Sequence, residues 1–162
     1  MEIKQGNMWD VLTNQQFSSQ LVDLFLITAN ATIRKDGCLV MGRGIAYEAK
    51  QRRPELPKRA GTLIQKTAIV DNKGHRYYGV LRDLFNDSPI GLFQTKYNYW
   101  DMSNIELIES SLHDLATIME KDGLSNVHLN YPGIGYGHLA QSDVLPLLES
   151  ILSNYPVTVW QR

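Results

Sequence analysis

Short apolar runs typical of strands alternate with helix-type patterns along the chain, and this alternation constrains the fold more than any other feature. Leu24-Phe25-Leu26-Ile27 is a continuous apolar run, as expected for a strand covered on both faces. Further strands are predicted at Leu63 to Val70, Tyr77 to Leu81, Ile90 to Thr95, Val127 to Tyr131 and Val157 to Trp160. The pattern predicts one α/β layered domain over residues 1–162.

The clearest helix prediction covers Asn104 to about Lys121, where apolar residues recur at spacings of three and four. This spacing places them on one face of a helix that packs against a sheet. Ser103 and Glu106 form a capping-box pair, which we expect to hold the first turn. Gly123 follows the last periodic residue and is placed to end the helix.

Two further helices are predicted on either side of this one. The first runs from Gly44 to Arg53 and must stop before Pro54, because the residue before a proline avoids helical backbone angles. The second begins near Ser142 or Asp143, with Pro146 tolerated in its first turn. The leucines that it is expected to bury are Leu145, Leu148 and Leu152. Together with the strands, these helices predict a three-layer α/β/α fold with a mixed central sheet.

Composition argues against several classes of function. The formal net charge of −1 indicates no basic face dedicated to nucleic acid or membrane, although a nucleic-acid substrate stays possible. Cys38 is the only cysteine and the histidines lack metal-ligand spacing, so we expect no disulfide, no metal and no cofactor. No apolar run approaches the ~20 residues that span a bilayer. The N-terminal segment lacks the layout of a signal peptide, so a cytoplasmic location is expected.

Two glycine-rich segments lie between a strand and a helix. They are Gly42-Arg43-Gly44 and Pro132-Gly133-Ile134-Gly135-Tyr136-Gly137. Glycines that lead into a helix let backbone N–H groups converge on an anion, and the helix dipole favours negative charge there. Because such loops sit at the carboxyl ends of strands, the two together predict a pocket for a diphosphate. For either loop alone, a tight turn without a ligand is the alternative.

The spacing of these glycines excludes two common nucleotide motifs. The sequence G-x-x-x-x-G-K-[ST] occurs nowhere in the chain, and GIGYG is not G-x-G-x-x-G. We therefore expect a nucleotide diphosphate held by backbone groups, rather than a nucleoside triphosphate or a hydride-transferring dinucleotide.

The order of these segments resembles that of a macrodomain, the fold that binds ADP-ribose. The matching segments span most of the chain and are GNMW, ITAN, VMGRGIA, FQTKYNYW and YPGIGYGHL. The sequence is most similar to the branch that contains DNA ADP-ribosyl glycohydrolases and relatives that remove ADP-ribose from acidic side chains. The resemblance implies ADP-ribose, or an ADP-ribosylated substrate, as the ligand.

The resemblance also implies roles for individual residues. Asn30 would contact the distal ribose, and Tyr136 would lie against a ribose. Lys96 falls on the catalytic lysine of this branch, and a partly desolvated lysine can act as a nucleophile or a base. The alternative is an exposed lysine at the end of a strand. The implied ligand-binding residues are Asn7, Met8, Asn30, Met41, Gly42, Gly44, Ile45, Pro132, Gly133, Ile134, Gly135, Tyr136 and Gly137.

Three departures from the family pattern concern the pocket. Asn7 stands where the family has an aspartate that accepts a hydrogen bond from the adenine amine. The stretch between Asn30 and Gly42 is longer than in the relatives. The aspartate expected beyond the second loop is replaced by Gly137-His138-Leu139. His138 is a second catalytic candidate, because histidine acts as an acid or base near neutral pH; the alternative is a surface histidine without a role.

The predicted function is hydrolysis of an ADP-ribosyl linkage on nucleic acid, protein or a small ester, with Lys96 as the catalytic residue. One alternative is a non-catalytic reader or sequestering protein for ADP-ribose, and another is a phosphatase acting on ADP-ribose 1″-phosphate. The aromatic residues Tyr97, Tyr99 and Trp100 either stack a base or line a substrate groove, or they pack a loop onto the core.

Overall fold

The computed structural model describes residues 1–13 and 21–162. Its strands are β1 (Glu2–Gln5), β2 (Leu24–Ala29), β3 (Ile69–Val70), β4 (Arg76–Tyr77), β5 (Val80–Leu81), β6 (Ile90–Gln94), β7 (Val127–Asn130) and β8 (Val157–Gln161). Its helices are α1 (Trp9–Thr13), α2 (Gly44–Arg52), α3 (Leu56–Thr67), α4 (Ile105–Asp122) and α5 (Gln141–Leu152).

A six-stranded sheet in the order β1-β8-β7-β2-β6-β5 forms the centre of the fold. Neighbouring strands in it are parallel, except that β5 runs antiparallel to β6. The sheet is therefore mixed, and the five parallel strands direct their carboxyl ends to one edge. A separate hairpin pairs β3 with β4.

Helices cover both faces of this sheet and form two hydrophobic cores. On one face, Ala49 of α2 and Ile64 of α3 pack with Phe25 of the sheet. On the other face, Leu112 of α4 and Leu148 of α5 pack around the remaining inward side chains. These two layers confirm the predicted α/β/α architecture with a mixed central sheet. Within residues 1–13 and 21–162, no helix is long and apolar enough to cross a membrane.

The predicted strand from Leu63 to Val70 is wrong, because most of it belongs to α3. In that helix Leu56, Ala60 and Ile64 recur every four residues and are fully buried, so one helical face packs on the sheet. Taken alone, the apolar residues at the end of α3 resemble a strand. The four-residue spacing that marks the helix begins earlier, at Leu56. Of the predicted strand, only the pair Ile69–Val70 forms a β-strand.

Two predicted helix starts also differ from the structure. Asn104, rather than Ser103, caps α4, and its side-chain oxygen accepts a hydrogen bond from the N–H of Leu107 at 3.1 Å. Helix α5 already begins at Gln141, so Pro146 lies inside the helix and not in its first turn. Since proline lacks an N–H group, one backbone hydrogen bond of α5 is missing at that point.

Two smaller predictions need correction. The strand predicted from Tyr77 to Leu81 is divided between β4 and β5, and Gly79 between them has a left-handed φ of +65°. In α5, Val144 is buried and Leu145 only half-buried, because Val144, Leu148 and Leu152 recur every four residues on the face that packs on the sheet.

Candidate functional site

The neighbouring strands β2 and β7 separate before they reach their carboxyl ends. Backbone pairing of β2 with β7 ends at Leu26 opposite Leu129, whereas β2 stays paired with β6 as far as Ala29. Beyond that point the Asn130 side chain bridges the gap: its Oδ1 accepts from the N–H of Thr28 at 2.9 Å, and its Nδ2 donates to the Thr28 hydroxyl at 2.8 Å. The separation lies at the carboxyl ends of the strands, where open α/β sheets bind ligands.

A cavity of about 910 Å³ occupies this edge of the sheet. It brings together the predicted site residues except Asn7 and Pro132, which lie outside its lining. The predicted residues that line it are Met8, Asn30, Met41, Gly42, Gly44, Ile45, Lys96, Gly133, Ile134, Gly135, Tyr136, Gly137 and His138. Residues from distant parts of the sequence therefore form one site.

The first glycine loop leads directly into the N-terminus of α2. Arg43 precedes the helix in an extended conformation, and no side chain of the described residues caps the first turn. The first N–H groups of a helix have no acceptor within it, and here Gly44, Ile45 and Ala46 line the cavity. An added Cβ at Gly42 would meet nothing within 4 Å. The loop is thus an open end of a helix dipole, which suits a bound anion.

The second glycine loop forms a 3₁₀ turn over Gly135–Gly137. Gly133 and Gly135 have φ values of +84° and +67°, in the left-handed region that glycine adopts most readily. The N–H of Ser103 donates to the carbonyl of Gly137 at 2.9 Å, and a Cβ at Gly137 would overlap the Ser103 hydroxyl. Glycine at this position lets the loop lie directly against the segment that precedes α4.

Lys96 follows β6 and is half-buried at the cavity. Its Nζ donates to the carbonyl of Tyr136 at 3.3 Å, so the amine contacts the second glycine loop. Burial lowers the pKa of Lys96, the negative charge of Asp101 opposes this shift, and Arg43 lowers the pKa further. A lysine whose pKa is lowered has a larger neutral fraction, which is the form that acts as a nucleophile or a base.

Sequence reasoning missed Asp101 and Arg43 as parts of this charged environment. Asp101 lies in a turn with Asn98, in which its N–H donates to the Asn98 carbonyl and its Oδ2 accepts from the Asn98 N–H. The guanidinium of Arg43 stands 5.8 Å from the ring centre of Tyr136. A signal was available for Asp101, since it follows the lysine of FQTK by only five residues.

The two predicted asparagines make hydrogen bonds within the protein. Asn7 is exposed, and its side-chain oxygen accepts from the N–H of Trp9 at 3.0 Å at the start of α1. Asn30 is buried; its amide donates to the carbonyl of Val40 at 2.9 Å, and its oxygen accepts from the N–H of Thr32 at 2.8 Å. Asn30 thus ties the end of β2 to the long stretch before the first glycine loop.

The three aromatic residues after Lys96 have different surroundings. Tyr97 stacks on His75 with ring centres 4.8 Å apart, so it packs this segment onto the β3–β4 hairpin. Tyr99 and Trp100 form an edge-to-face pair at 5.0 Å and line the cavity, with 53% and 66% of their surface exposed. An exposed aromatic pair at the opening of a cavity offers a surface on which a planar group can stack.

The three-layer fold and a cavity between two glycine loops at the carboxyl edge define the class of this protein: it has the macrodomain fold. No family model matches the chain. The macrodomain of Thermus aquaticus DarG is similar over 98% of this chain and 95% of its own, with a TM-score of 0.68 and 22% identity.

Two further similar proteins are longer than this chain. The structure of Thermosipho africanus DarTG in complex with ADP-ribose is similar over 99% of this chain and 41% of its own, with a TM-score of 0.68 and 23% identity. The sequence of a Mycobacterium tuberculosis protein named DNA ADP-ribosyl glycohydrolase is 28% identical over 142 residues, or 83% of this chain. This chain spans 38% of the length of that relative. The chain is therefore similar in fold to macrodomains of DarG proteins and similar in sequence to a DNA ADP-ribosyl glycohydrolase.

Proposed function

We propose that this protein binds ADP-ribose in the cavity and hydrolyses an ADP-ribosyl linkage, with Lys96 as its catalytic residue. The observation that carries the proposal is the meeting of two glycine loops and one partly desolvated lysine in a single cavity. Two relatives support it, since one similar structure is a complex with ADP-ribose and one similar sequence is named DNA ADP-ribosyl glycohydrolase.

The size and lining of the cavity support the binding of ADP-ribose. Its volume of about 910 Å³ lies within the range of roughly 300–1,000 Å³ that is usual for small-molecule sites. The diphosphate would accept hydrogen bonds from backbone N–H groups at the start of α2 and in the second glycine loop. Arg43 lines the same region and adds positive charge for the phosphates.

The proposed chemistry uses the neutral form of Lys96. The neutral amine either attacks the ribose carbon and displaces the leaving group, after which water cleaves the new carbon–nitrogen bond, or it removes a proton from a water that attacks the same carbon and displaces the leaving group directly. Burial and Arg43 favour this form, whereas Asp101 favours the ammonium form. His138 is exposed in the same lining and is the candidate acid that protonates the leaving group.

The group attached to ADP-ribose would lie at the cavity opening, beside Lys96. Tyr99 and Trp100 expose their rings there, and base stacking on aromatic side chains contributes about 1–3 kcal/mol per base. Among the candidate targets, this surface favours a nucleobase over an acidic side chain or a small ester.

Titration calorimetry with ADP-ribose tests the binding step. Gly42→Glu places a carboxylate at the first glycine loop, where an added Cβ meets no atom, so the variant should fold normally. We expect its affinity to fall at least about tenfold through repulsion of the diphosphate. Gly42→Ala adds the Cβ without the charge and is the control. A folded wild-type protein that does not bind ADP-ribose would overturn the proposal.

Turnover of ADP-ribosylated DNA and peptides tests the catalytic step. Lys96→Ala should abolish turnover while ADP-ribose affinity stays within a few-fold of wild type, and Lys66→Ala on the exposed side of α3 is the matched control. Normal turnover in Lys96→Ala removes this lysine from the mechanism. Binding without turnover by the wild type indicates a reader, and phosphate release from ADP-ribose 1″-phosphate indicates the phosphatase.

A further inference from the structure

A buried histidine outside the cavity lining holds one of the residues that form the cavity wall. His128 lies on β7, and its Nδ1 is 2.9 Å from the indole Nε1 of Trp160 on β8. Its Nε2 is 2.9 Å from Oδ1 of Asn126. The Asn126 amide nitrogen donates to the carbonyl of Leu21, which leaves the Asn126 oxygen facing the histidine.

These contacts define a single protonation state of the imidazole. An indole N–H can only donate, so Nδ1 of His128 must accept and carries no proton. Nε2 then carries the proton and donates it to Asn126 Oδ1. The hydrogen bond from Trp160 therefore requires neutral His128, because a protonated ring has only donors to offer.

Trp160 lies on the far side of β2 and β7 from Lys96. It lines the cavity together with Gly6, where an added Cβ would stand 3.4 Å from the indole ring. Lys96 follows β6 and Trp160 belongs to β8, which is separated from β6 by β2 and β7. Three strand spacings of roughly 4.8 Å separate the two positions by about 14 Å.

Under the proposed function, the ligand lies in the cavity with a definite orientation between Lys96 and Trp160. If the scissile ribose lies at Lys96 and the diphosphate lies on the glycine loops, the nucleoside end of the ligand points toward Trp160. We propose that His128 is a positioning residue that holds the Trp160 indole as the wall for this nucleoside end, and that protonation of His128 releases the indole. This inference rests on the proposed function, and it adds a pH-dependent control of affinity.

The surroundings of His128 determine the pH range of this control. Burial lowers the pKa of His128, and the positive charge of Lys4 on β1 lowers it further. Asn126 and Trp160 are its uncharged polar contacts, and its register neighbours in the sheet, Phe25 and Thr158, carry no charge. The ring is therefore neutral at pH 7 and protonates only in acid.

Because the pKa of His128 is lowered, the change of stability and of affinity with pH has a definite direction. The folded protein favours the neutral ring, so this contribution to stability is fully present above the unfolded pKa of about 6.5 and is lost as pH falls through the folded pKa. The indole hydrogen bond is lost over the same acidic range. We therefore expect ADP-ribose affinity to fall on acidification.

The test compares ADP-ribose affinity at pH 7.5 and pH 5.0 in the wild type and in two variants. His128→Leu removes the acceptor, so at both pH values it should bind about fivefold to tenfold more weakly than the wild type does at pH 7.5. His128→Asn places an amide oxygen near the position of Nδ1 but does not titrate, so it should bind like the wild type at pH 7.5 and lose the acid dependence. His113→Asn, on the exposed side of α4, is the matched control.

An acid effect that arises from another group of the cavity would persist in His128→Asn. Such persistence, or normal binding by His128→Leu, overturns the inference while the proposed function stands. A wild type that fails to bind ADP-ribose at pH 7.5 overturns the proposed function instead. Nitrogen-detected NMR of the ligand-free protein then tests the remaining claim, since a proton on Nδ1 of His128 at pH 7.5 contradicts it.

Discussion

Replacing Gln94 with methionine tests the hydrogen-bond network that supports Lys96. Gln94 is fully buried on β6. Its Oε1 accepts from the N–H groups of Tyr78 at 2.8 Å and Gly79 at 3.2 Å. Its Nε2 donates to the carbonyls of Arg76 at 2.9 Å and Lys96 at 3.2 Å. One amide therefore connects the β4–β5 segment with the backbone of Lys96.

The expected magnitude follows from the groups that lose their partners. Methionine keeps the unbranched shape of Gln94, so Gln94→Met creates little cavity and leaves polar groups unpaired. An unpaired buried donor costs about 1–3 kcal/mol. The N–H of Gly79 is fully buried and that of Tyr78 only partly, so we expect a loss of about 2–4 kcal/mol in the free energy of unfolding. That is a large part of the roughly 5–15 kcal/mol typical of a domain.

Equilibrium unfolding in urea at pH 7 measures this loss. Gln65→Met is the matched control, because Gln65 is exposed on α3 and because glutamine and methionine have similar helix propensities. Turnover measured well below the unfolding transition should also fall, since the Lys96 backbone loses its donor. A stability within about 1 kcal/mol of the control would show that the network contributes no more than an average single hydrogen bond, and the reasoning would be refuted.

Two further predictions concern charge and packing. Because Asp101 favours the ammonium form of Lys96 and Arg43 disfavours it, Asp101→Asn should move the Lys96 limb of the pH–rate profile to lower pH, and Arg43→Gln should move it to higher pH. A shift in the same direction in both variants contradicts this electrostatic account. Gly61→Ala would raise helix propensity by about 1 kcal/mol, but its Cβ would overlap the carbonyl oxygen of Gly37, so we expect a lower Tm. Calorimetry that finds a higher Tm contradicts the contact.

The layered fold could be predicted because its signals are local and repeated. Helix α4 has apolar residues at spacings of three and four over 18 residues, and β2 is a continuous apolar run. Helix α3 was missed because its buried face consists partly of Ala60 and Gly61, which periodicity arguments give little weight. These small residues are buried because the stretch before the first glycine loop packs closely there, a contact between distant segments.

The glycine loops could be predicted for a related reason. Gly133, Gly135 and Gly44 adopt left-handed backbone angles that glycine tolerates, so the residue type itself marks the turn. Asn130 and Trp160 carry no such mark. Asn130 acts through Thr28 and Trp160 through a histidine on the neighbouring strand, so their places in the cavity depend on strand register. Register is a property of the assembled sheet, and a single strand does not encode it.

The charge environment of Lys96 depends both on Asp101, which is close in sequence, and on the second glycine loop, which is distant in sequence. The resemblance places an aspartate after the second glycine loop, where this chain has His138, yet Asp101 acts on the same amine. Asp101 is positioned by its own turn, whereas the amine is positioned by the carbonyl of Tyr136 in the second loop. A ligand phosphate that draws Lys96 away from Tyr136 would therefore change its distance from Asp101. Ligand binding and the ionisation of Lys96, the proposed catalytic residue, would then be coupled through this one contact, so a Lys96 pKa measured with and without ADP-ribose should differ.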